Sequence, residues 1–477
     1  MLRVQGSRKQ ACDGFSRRDF LTAGGLTAAG FSLSEADAAP AAVGRNGFGK
    51  AKRAILLYLY GAASQAETFD PKPDAPVDIR GPFRPRETSV SGIRISEHLP
   101  LIAKQMHRIT VIRSLTHPFP IHGAAYALTG NPICDIPMEL NPRDQRHWPY
   151  IGSVVDYLRG SAVPGVPANV CLPWRISSRS APHKRAGVYG GFLGTAFDPI
   201  YTEFIGDSPK GDPYRAVRPD GYFQFTPSAA PQPDITLDRL NRRRGLLGQL
   251  DDERHRLDGS DLVSGYNRSR QRALSLLTSE STREALDLTR EPLAMRESYG
   301  MTLFGQGTLA ARRLLERGVR FATVVWDEFD RSCISGWDTH VRQEQRLTGE
   351  LLPGLDRALS ALIEDLNQRG MLDETLIMVL TEHGRTPKVN PVDGGGRDHW
   401  SDVYSGLIAG GGAGAGRVVG ASDAHAAYVH DAPVSPKDIL ATAYHLLGIP
   451  PTTEILDRQS RPLPLVPEGR VLESLLA

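Results

Sequence analysis

Several short stretches of this chain are apolar at almost every position, and they constrain the fold more than any other feature. The clearest is Ala54-Ile55-Leu56-Leu57-Tyr58-Leu59-Tyr60, ended by Gly61; similar runs lie at 109–112, 321–326, 376–380 and 407–409. Side chains alternate between the two faces of a strand, so a strand that is apolar at successive positions is buried on both faces. Such strands need a layer of helices above and below. The segment 351–367 supplies one, with Leu352, Leu355, Leu359 and Leu362 on one stripe and Asp356, Arg357, Glu364 and Asp365 off it. The expected fold class is therefore α/β, a mostly parallel sheet flanked by helices.

Other parts of the chain read differently. From about 177 to 233 it is rich in Pro, Gly and aromatic residues without a clear period, which predicts an irregular excursion over the surface. Leu237, Leu240, Leu247, Leu250 and Leu257 then mark a long amphipathic helix, followed by a second at 262–277, and together these predict a helical cap. At the other end, Ser16-Arg17-Arg18-Asp19-Phe20-Leu21 precedes a weakly apolar Gly/Ala-rich stretch and the triplet Ala36-Asp37-Ala38. That order is the pattern of a twin-arginine export signal, too short and glycine-rich to span a membrane. The organisation expected is a leader at 1–39, a linker at 40–50, and a single α/β domain at 51–477 with an insertion at about 177–300. The protein would work in the periplasm or outside the cell. With 56 Lys and Arg against 54 Asp and Glu, no basic excess favours nucleic acid as a partner. Cys134, Cys171 and Cys333 follow the leader, enough for at most one disulfide.

Ligands of open parallel sheets collect at the carboxyl ends of the strands, so the residues just after each apolar run are the first candidates for chemistry. After the first run stand Ser64, Glu67 and Asp70; after 321–326 come Asp338 and His340; after 376–380 come Glu382, His383 and Arg385; and Arg397, Asp398 and His399 follow a glycine-rich turn. A carboxylate and an imidazole recur within two residues in three of these four segments. Zn²⁺, Mn²⁺ and similar ions take this mixed N/O set. Arg385 and Arg397 suit either a bound oxyanion, such as sulfate or phosphate, or the neighbouring carboxylates Glu382 and Asp398 as internal partners.

These residues lie in ordered motifs that resemble a known family. The motifs are the twin-arginine leader, the run 61–73 with Thr68-Phe69-Asp70-Pro71-Lys72-Pro73, Ser96-Glu97-His98-Leu99-Pro100, Arg113-Ser114-Leu115-Thr116-His117, Trp337-Asp338-Thr339-His340, Gly384-Arg385-Thr386-Pro387 and Gly396-Arg397-Asp398-His399-Trp400. Over about residues 50 to 475 they look like the bacterial "domain of unknown function 1501" proteins, exported and often labelled sulfatase-like. The resemblance implies the alkaline-phosphatase and sulfatase fold, with one or two metals (Zn, Mn, Ca or Mg) beside a Ser, Thr or formylglycine nucleophile. By the same resemblance Glu382-His383-Gly384 matches a metal-binding Asp-His-Gly segment, His399 the last metal histidine, and Asp338 with His340 an Asp/His segment. Relatives often carry Phe where this chain has His383, which makes Glu382 the safer ligand and His383 a packing candidate. Ser64 stands where a first-strand metal Asp is usual, leaving Glu67 or Asp70 for that carboxylate.

The nucleophile departs from the pattern. Sulfatases read Cys/Ser-x-Pro-Ser-Arg before a helix ending Leu-Thr-Gly; here Leu128-Thr129-Gly130 is preceded by Pro120-Ile121-His122-Gly123-Ala124, with neither Cys nor Ser at the reacting position. A formylglycine mechanism is not expected. What remains is metal-activated water, which Zn²⁺ can bring to a pKa of about 7, with His117 or His122 as acid or base. Helix-entry hydrogen bonds are the alternative role for those two histidines. The expected activity is metal-dependent hydrolysis of a sulfate or phosphate ester, with an anionic small molecule or glycan as substrate. Its rival is a catalytically inactive relative that binds anionic glycans or a protein.

Overall fold

The computed structural model of the chain describes residues 46–119, 122–131, 136–177, 185–226, 279–327 and 336–477. The expected leader at 1–39, the predicted helices at 237–257 and 262–277, and Cys134 and Cys333 lie outside them. Cys171 is a free, buried thiol.

In chain order the strands of the described residues are β1 (Arg53–Leu59), the hairpin of β2 (Pro85–Glu87) with β3 (Arg94–Ser96), β4 (Ile109–Leu115), β5 (Asn169–Leu172), β6 (Ile200–Ile205), β7 (Tyr222–Phe225), β8 (Phe321–Trp326), β9 (Thr375–Leu380), β10 (Gly384–Arg385), β11 (His399–Trp400), β12 (Tyr404–Ala409), β13 (Arg417–Val419), β14 (Ala421–Ser422), β15 (Val429–Asp431), β16 (Glu454–Leu456) and β17 (Pro462–Pro464). Nine of them form one sheet in the order β13-β4-β12-β9-β1-β8-β5-β6-β7. β12 runs antiparallel to both β4 and β9, and β7 antiparallel to β6; the remaining pairings are parallel. The expected class holds, as a mixed sheet with a parallel centre.

The pleat of β1 explains its composition. Ile55, Leu57 and Leu59 enter a core that contains Leu309 and Leu314 of the helix Leu303–Glu316 and Leu355 and Leu359 of the helix Leu352–Gln368. Ala54, Leu56 and Tyr58 enter a second core with Val154 of the helix Ile151–Arg159 and Leu440 of the helix Pro436–Leu446. Each face of the sheet thus has its own helical layer. Among the described residues, no helix is long and apolar enough to cross a membrane.

The segment read as an irregular excursion needs correction. It contains β6 and β7, which with β5 extend the sheet by three strands beyond β8. These strands are short and interrupted by polar residues: Glu203 sits within β6, and β7 alternates Tyr222 and Gln224 with the buried Phe223 and Phe225. β7 reads as loop because an edge strand buries only one face, and β6 because Glu203 and its half-buried ends break the apolar run.

Trp326 at the end of β8 is fully buried among Tyr214, Phe304 and Trp337, with ring centroids 5.6, 4.6 and 5.7 Å away. Gly354 admits the indole: a Cβ there would lie 2.5 Å from a ring carbon of Trp326. Glycine to alanine inside a helix ordinarily stabilises by about 1 kcal/mol. Here overpacking against the ring reverses the sign, and Gly354→Ala is expected to destabilise by about 1–3 kcal/mol in urea unfolding. A gain in stability would mean that the indole moves aside without strain.

Candidate metal centre

The carboxyl ends of β1 and β9 and the segment that returns after β8 meet at one place. Gly61 makes the meeting possible. Its φ is +108°, and a Cβ there would lie 2.4 Å from the amide nitrogen of Asp338, so the segment carrying Trp337 and Asp338 crosses directly over the end of β1. The Trp337 amide donates to the Tyr60 carbonyl at 2.9 Å, and the Gly61 amide donates to Glu382 Oε1 at 2.8 Å. The ribbon of β10 and β11 pairs Arg385 with His399 and brings the last histidine to the same spot.

Four histidine rings cluster there. His122 lies 4.1 Å from His399 and 5.2 Å from His383 between centroids, and His399 lies 4.7 Å from His383 and 4.9 Å from His340. The ligand-capable atoms of His122, His383 and His399 fall within 4.8 Å of one another, and so do those of Asp338, His340 and His399. His399 belongs to both sets.

Each of three rings is fixed through Nδ1, which leaves Nε2 for the cluster. His122 Nδ1 pairs with Glu382 Oε1 at 2.8 Å, His340 Nδ1 with Asp398 Oδ1 at 2.8 Å, and His383 Nδ1 donates to the Gly384 carbonyl at 2.8 Å. An imidazole whose Nδ1–H is held by a carboxylate or carbonyl presents a lone pair at Nε2, the arrangement found behind metal-binding histidines. The carboxylates are held in turn: Glu382 by the Gly61 amide, Asp398 by Asn390 Nδ2 at 2.9 Å. His383 Nε2 is buried without a hydrogen-bond partner. The donor chemistry and this orphaned nitrogen fit a divalent cation.

The electrostatics match that reading. Burial works against charge on His122, yet its bonds to Asp338 and Glu382 outweigh burial and push the ring up to about 9. Burial likewise opposes charge on Asp338, but His122, His340 and His399 hold it well below the carboxylate range. Burial and the neighbouring His122 keep His383 neutral. Burial also lowers His399, against the pull of Asp338. His340 is raised chiefly by its bond to Asp338.

A pH dependence follows. An ion taking His122 Nε2 must displace a proton held to about pH 9. Metal affinity, measured by chelator competition, is expected to rise roughly tenfold per pH unit up to that point and then level off. In the metal-free chain the sign is opposite. The folded pKa lies above the unfolded value of about 6.5, so the His122 contribution to stability is complete below that value and is lost as pH rises through about 9. An affinity that stays flat across this range would remove His122 from the ligand set.

The other residues singled out in the sequence fall elsewhere or take other roles. Glu382 orients His122 and is in neither donor set, whereas His383, read as a packing candidate, is in one. His117 donates from Nε2 to the Glu382 carbonyl at 2.6 Å and accepts at Nδ1 from the Phe119 amide at 3.1 Å. Both its nitrogens are committed to bracing the chain beneath Glu382. Ser64 is buried and donates its hydroxyl to Glu67, whose carboxylate also pairs with Arg397. Asp70 pairs with Lys72 at 3.0 Å and Arg113 at 3.4 Å and accepts from Ser422. Neither Glu67 nor Asp70 belongs to a donor set among the described residues.

Of the two alternatives for Arg385 and Arg397, the structure has internal partners, with Asp338 and Glu67 in place of the expected Glu382 and Asp398; both guanidinium groups are fully buried and committed and so are not forks for an oxyanion. Arg385 donates to the carbonyls of Gly61, Ala62 and Arg397 and to Asp338, and its Nη1 lies 3.4 Å from His340 Nε2. Arg397 donates to Glu67 and to the carbonyls of Ile79, Thr386 and Pro387. Sequence reasoning overlooked Gln65, which accepts from the Arg385 amide at 3.0 Å and donates to the Arg385 and Ala426 carbonyls at 2.8 and 2.9 Å. An amide side chain in the turn after β1, where ligands collect, was the available signal.

Residues 51–476 match the family described as Protein of unknown function (DUF1501), and the chain belongs to that family. No curated protein matches the chain. Among solved structures it is similar to the PsFucS1 sulfatase from Pseudoalteromonas sp., at 11% identity and a TM-score of 0.37, covering 84% of this chain and 68% of that one. It is also similar to the lipoteichoic acid synthase LtaP from Listeria monocytogenes, at 10% identity and 0.36, covering 84% and 74%. A third is the phosphonate monoester hydrolase SpPMH from Silicibacter pomeroyi, at 11% and 0.33, covering 89% and 76%.

Proposed function

We propose that this DUF1501 protein hydrolyses an anionic ester, a sulfate or a phosphate, at a divalent metal held by its histidine cluster. The observation that carries the reading is His383. Its Nδ1–H is committed to Gly384, and its Nε2 is buried, without a partner, and within ligand reach of His122 and His399. A buried polar atom left unsatisfied costs about 1–3 kcal/mol, and a cation at this point would relieve it. Zn²⁺ and Mn²⁺ suit the imidazole-rich set better than Ca²⁺ or Mg²⁺, which prefer oxygen.

His122, His383 and His399 would hold the ion, and Asp338, His340 and His399 offer a second set beside it. When bound, such an ion polarises an ester oxygen and acidifies water. The residues of the chain supply the rest. Glu382 fixes the His122 ring, and Asp398 fixes His340. With an ion on His122, His383 and His399 alone, His340 stays outside the coordination; its side chain is 40% exposed and Asp338 raises its pKa, so its Nε2 can then carry a proton to the leaving oxygen. With residues 1–39 read as a twin-arginine leader, the proposal places this work outside the cytoplasm.

Metal analysis of the purified protein, combined with a screen of aryl sulfates and aryl phosphates, tests the proposal. Retained divalent metal and turnover that chelation abolishes are expected. Protein that holds no divalent ion after equilibration with Zn²⁺ or Mn²⁺ would end it. One observation favours the rival, a binding protein without turnover: the Ser64 hydroxyl is committed to Glu67, so it is not presented as a nucleophile. Metal-replete protein that binds sulfated or phosphorylated glycans but cleaves no ester would decide for the rival.

A further inference from the structure

We propose that Arg185 is the residue that grips the anionic head group of the substrate; this rests on the hydrolase reading above. A sulfate or phosphate ester entering a half-buried site calls for a guanidinium whose N–H groups are free to form a bidentate pair. Arg385 and Arg397 cannot serve, because carbonyls and carboxylates already take their donors. Arg346 donates to the carbonyls of Gly336 and Asp338.

Arg185 differs from all three. It is half-buried, and among the described residues no hydrogen bond or ion pair engages its guanidinium. Its backbone is nevertheless anchored. The Arg185 amide donates to Ser177 Oγ at 2.6 Å, and the next amide, of Ala186, donates to the Glu139 carbonyl at 2.8 Å. Gly187 follows with φ +130°; a Cβ there would lie 3.0 Å from Ala124 Cβ, so this segment packs directly on the first residue of the helix Ala124–Thr129. That helix begins two residues after His122. Arg185 therefore stands on a braced segment beside the turn that carries a cluster histidine.

Its charge reaches the cluster's surroundings. Burial raises the Tyr60 phenol and the Glu139 carboxyl, and in both cases Arg185 is the largest influence pulling the other way. The Tyr60 ring stands 5.7 Å from the His122 ring. Glu139 is buried, and burial pushes its carboxyl well above the carboxylate range; among the described residues no carboxylate forms an ion pair with the Arg185 guanidinium. An incoming tetrahedral oxyanion would supply the missing countercharge.

The test uses the full chain loaded with Zn²⁺ or Mn²⁺, titrated calorimetrically with inorganic phosphate and, separately, inorganic sulfate. Arg185→Ala is expected to weaken the favoured anion by about tenfold or more, and Arg185→Lys to keep part of the affinity. Metal content and thermal midpoint should match the parent protein in both variants, since no ion pair is lost. If an ester is turned over, KM should rise more than kcat falls. Anion affinity unchanged in Arg185→Ala, or a parent protein that binds neither anion, would overturn the assignment. Affinity lost on substitution in a protein that hydrolyses no ester would sink the hydrolase reading while leaving Arg185 as an anion-binding residue, so the two failures can be told apart.

Discussion

Replacing His399 with alanine is expected to abolish divalent-metal binding at the proposed centre. Among the described residues His399 is the one candidate ligand common to both donor sets, so its loss reduces each to two groups: His122 with His383, and Asp338 with His340. Two protein ligands hold a first-row divalent ion far more weakly than three, and the loss should exceed a hundredfold. Glu382→Gln and Asp398→Asn provide the internal comparison. Each leaves every ring in place and weakens only the bond that orients His122 or His340, for which about 10- to 100-fold is the usual effect. Chelator competition at fixed pH ranks the three variants. A His399→Ala protein that retains the parent affinity would show that the cluster is a stack of hydrogen-bonded rings and not a metal site.

The hierarchy tested by those variants was only half legible in the sequence. The three carboxylate–imidazole pairs at 338/340, 382/383 and 398/399 could be located because strand ends could be located, and strand ends followed from uninterrupted apolar runs such as β1 and β9. Which member of a pair turns toward the cluster could not. Glu382 and His383 are adjacent residues beyond the end of β9, and the choice between them depends on the amide of Gly61, which is 321 residues away and is aimed by the turn after β1. His122 was visible as an acid or base candidate, but its role as a donor beside His383 depends on three segments meeting.

The strands missed at 169–225 have a related cause. β5 is four residues long, and β7 exposes Tyr222 while it buries Phe223 and Phe225. One-sided burial gives alternation over too few residues to stand out among the prolines and glycines around it. For the arginines the two alternatives, a bound oxyanion or an internal carboxylate partner, could not be separated. A guanidinium next to a carboxylate in sequence looks the same whether it faces a ligand or a carbonyl, and only the packing shows that Arg385 caps the chain at Gly61 and Ala62. Resemblance to the DUF1501 family placed the motifs and named Asp338, His340 and His399, but it favoured Glu382 over His383 as the ligand, whereas His383 is the member that stands in a donor set.

Glu67→Ala is expected to destabilise the fold heavily while leaving divalent-metal binding at the proposed centre unchanged. Glu67 and Arg397 are both buried at the side chain, and the carboxylate takes Nε and Nη2 of the guanidinium as well as the Ser64 hydroxyl. Alanine would leave Arg397 as a buried cation with only the carbonyls of Ile79, Thr386 and Pro387 around it. Removing one partner of a buried ion pair costs about 3–5 kcal/mol, against a total stability on the order of 5–15 kcal/mol for a folded domain. A shift of that size should be plain in urea unfolding of the metal-free protein. Replacing both partners together, as Glu67→Leu with Arg397→Met, should recover most of the loss, because neither charge then has to be desolvated. The same pair of variants separates a fold-holding ion pair from the carboxylate ligand first expected at Glu67. If Glu67 were a ligand, the single variant would lose the ion and the double variant would not regain it. If Glu67 only neutralises Arg397, both variants should bind metal as the parent does wherever they remain folded.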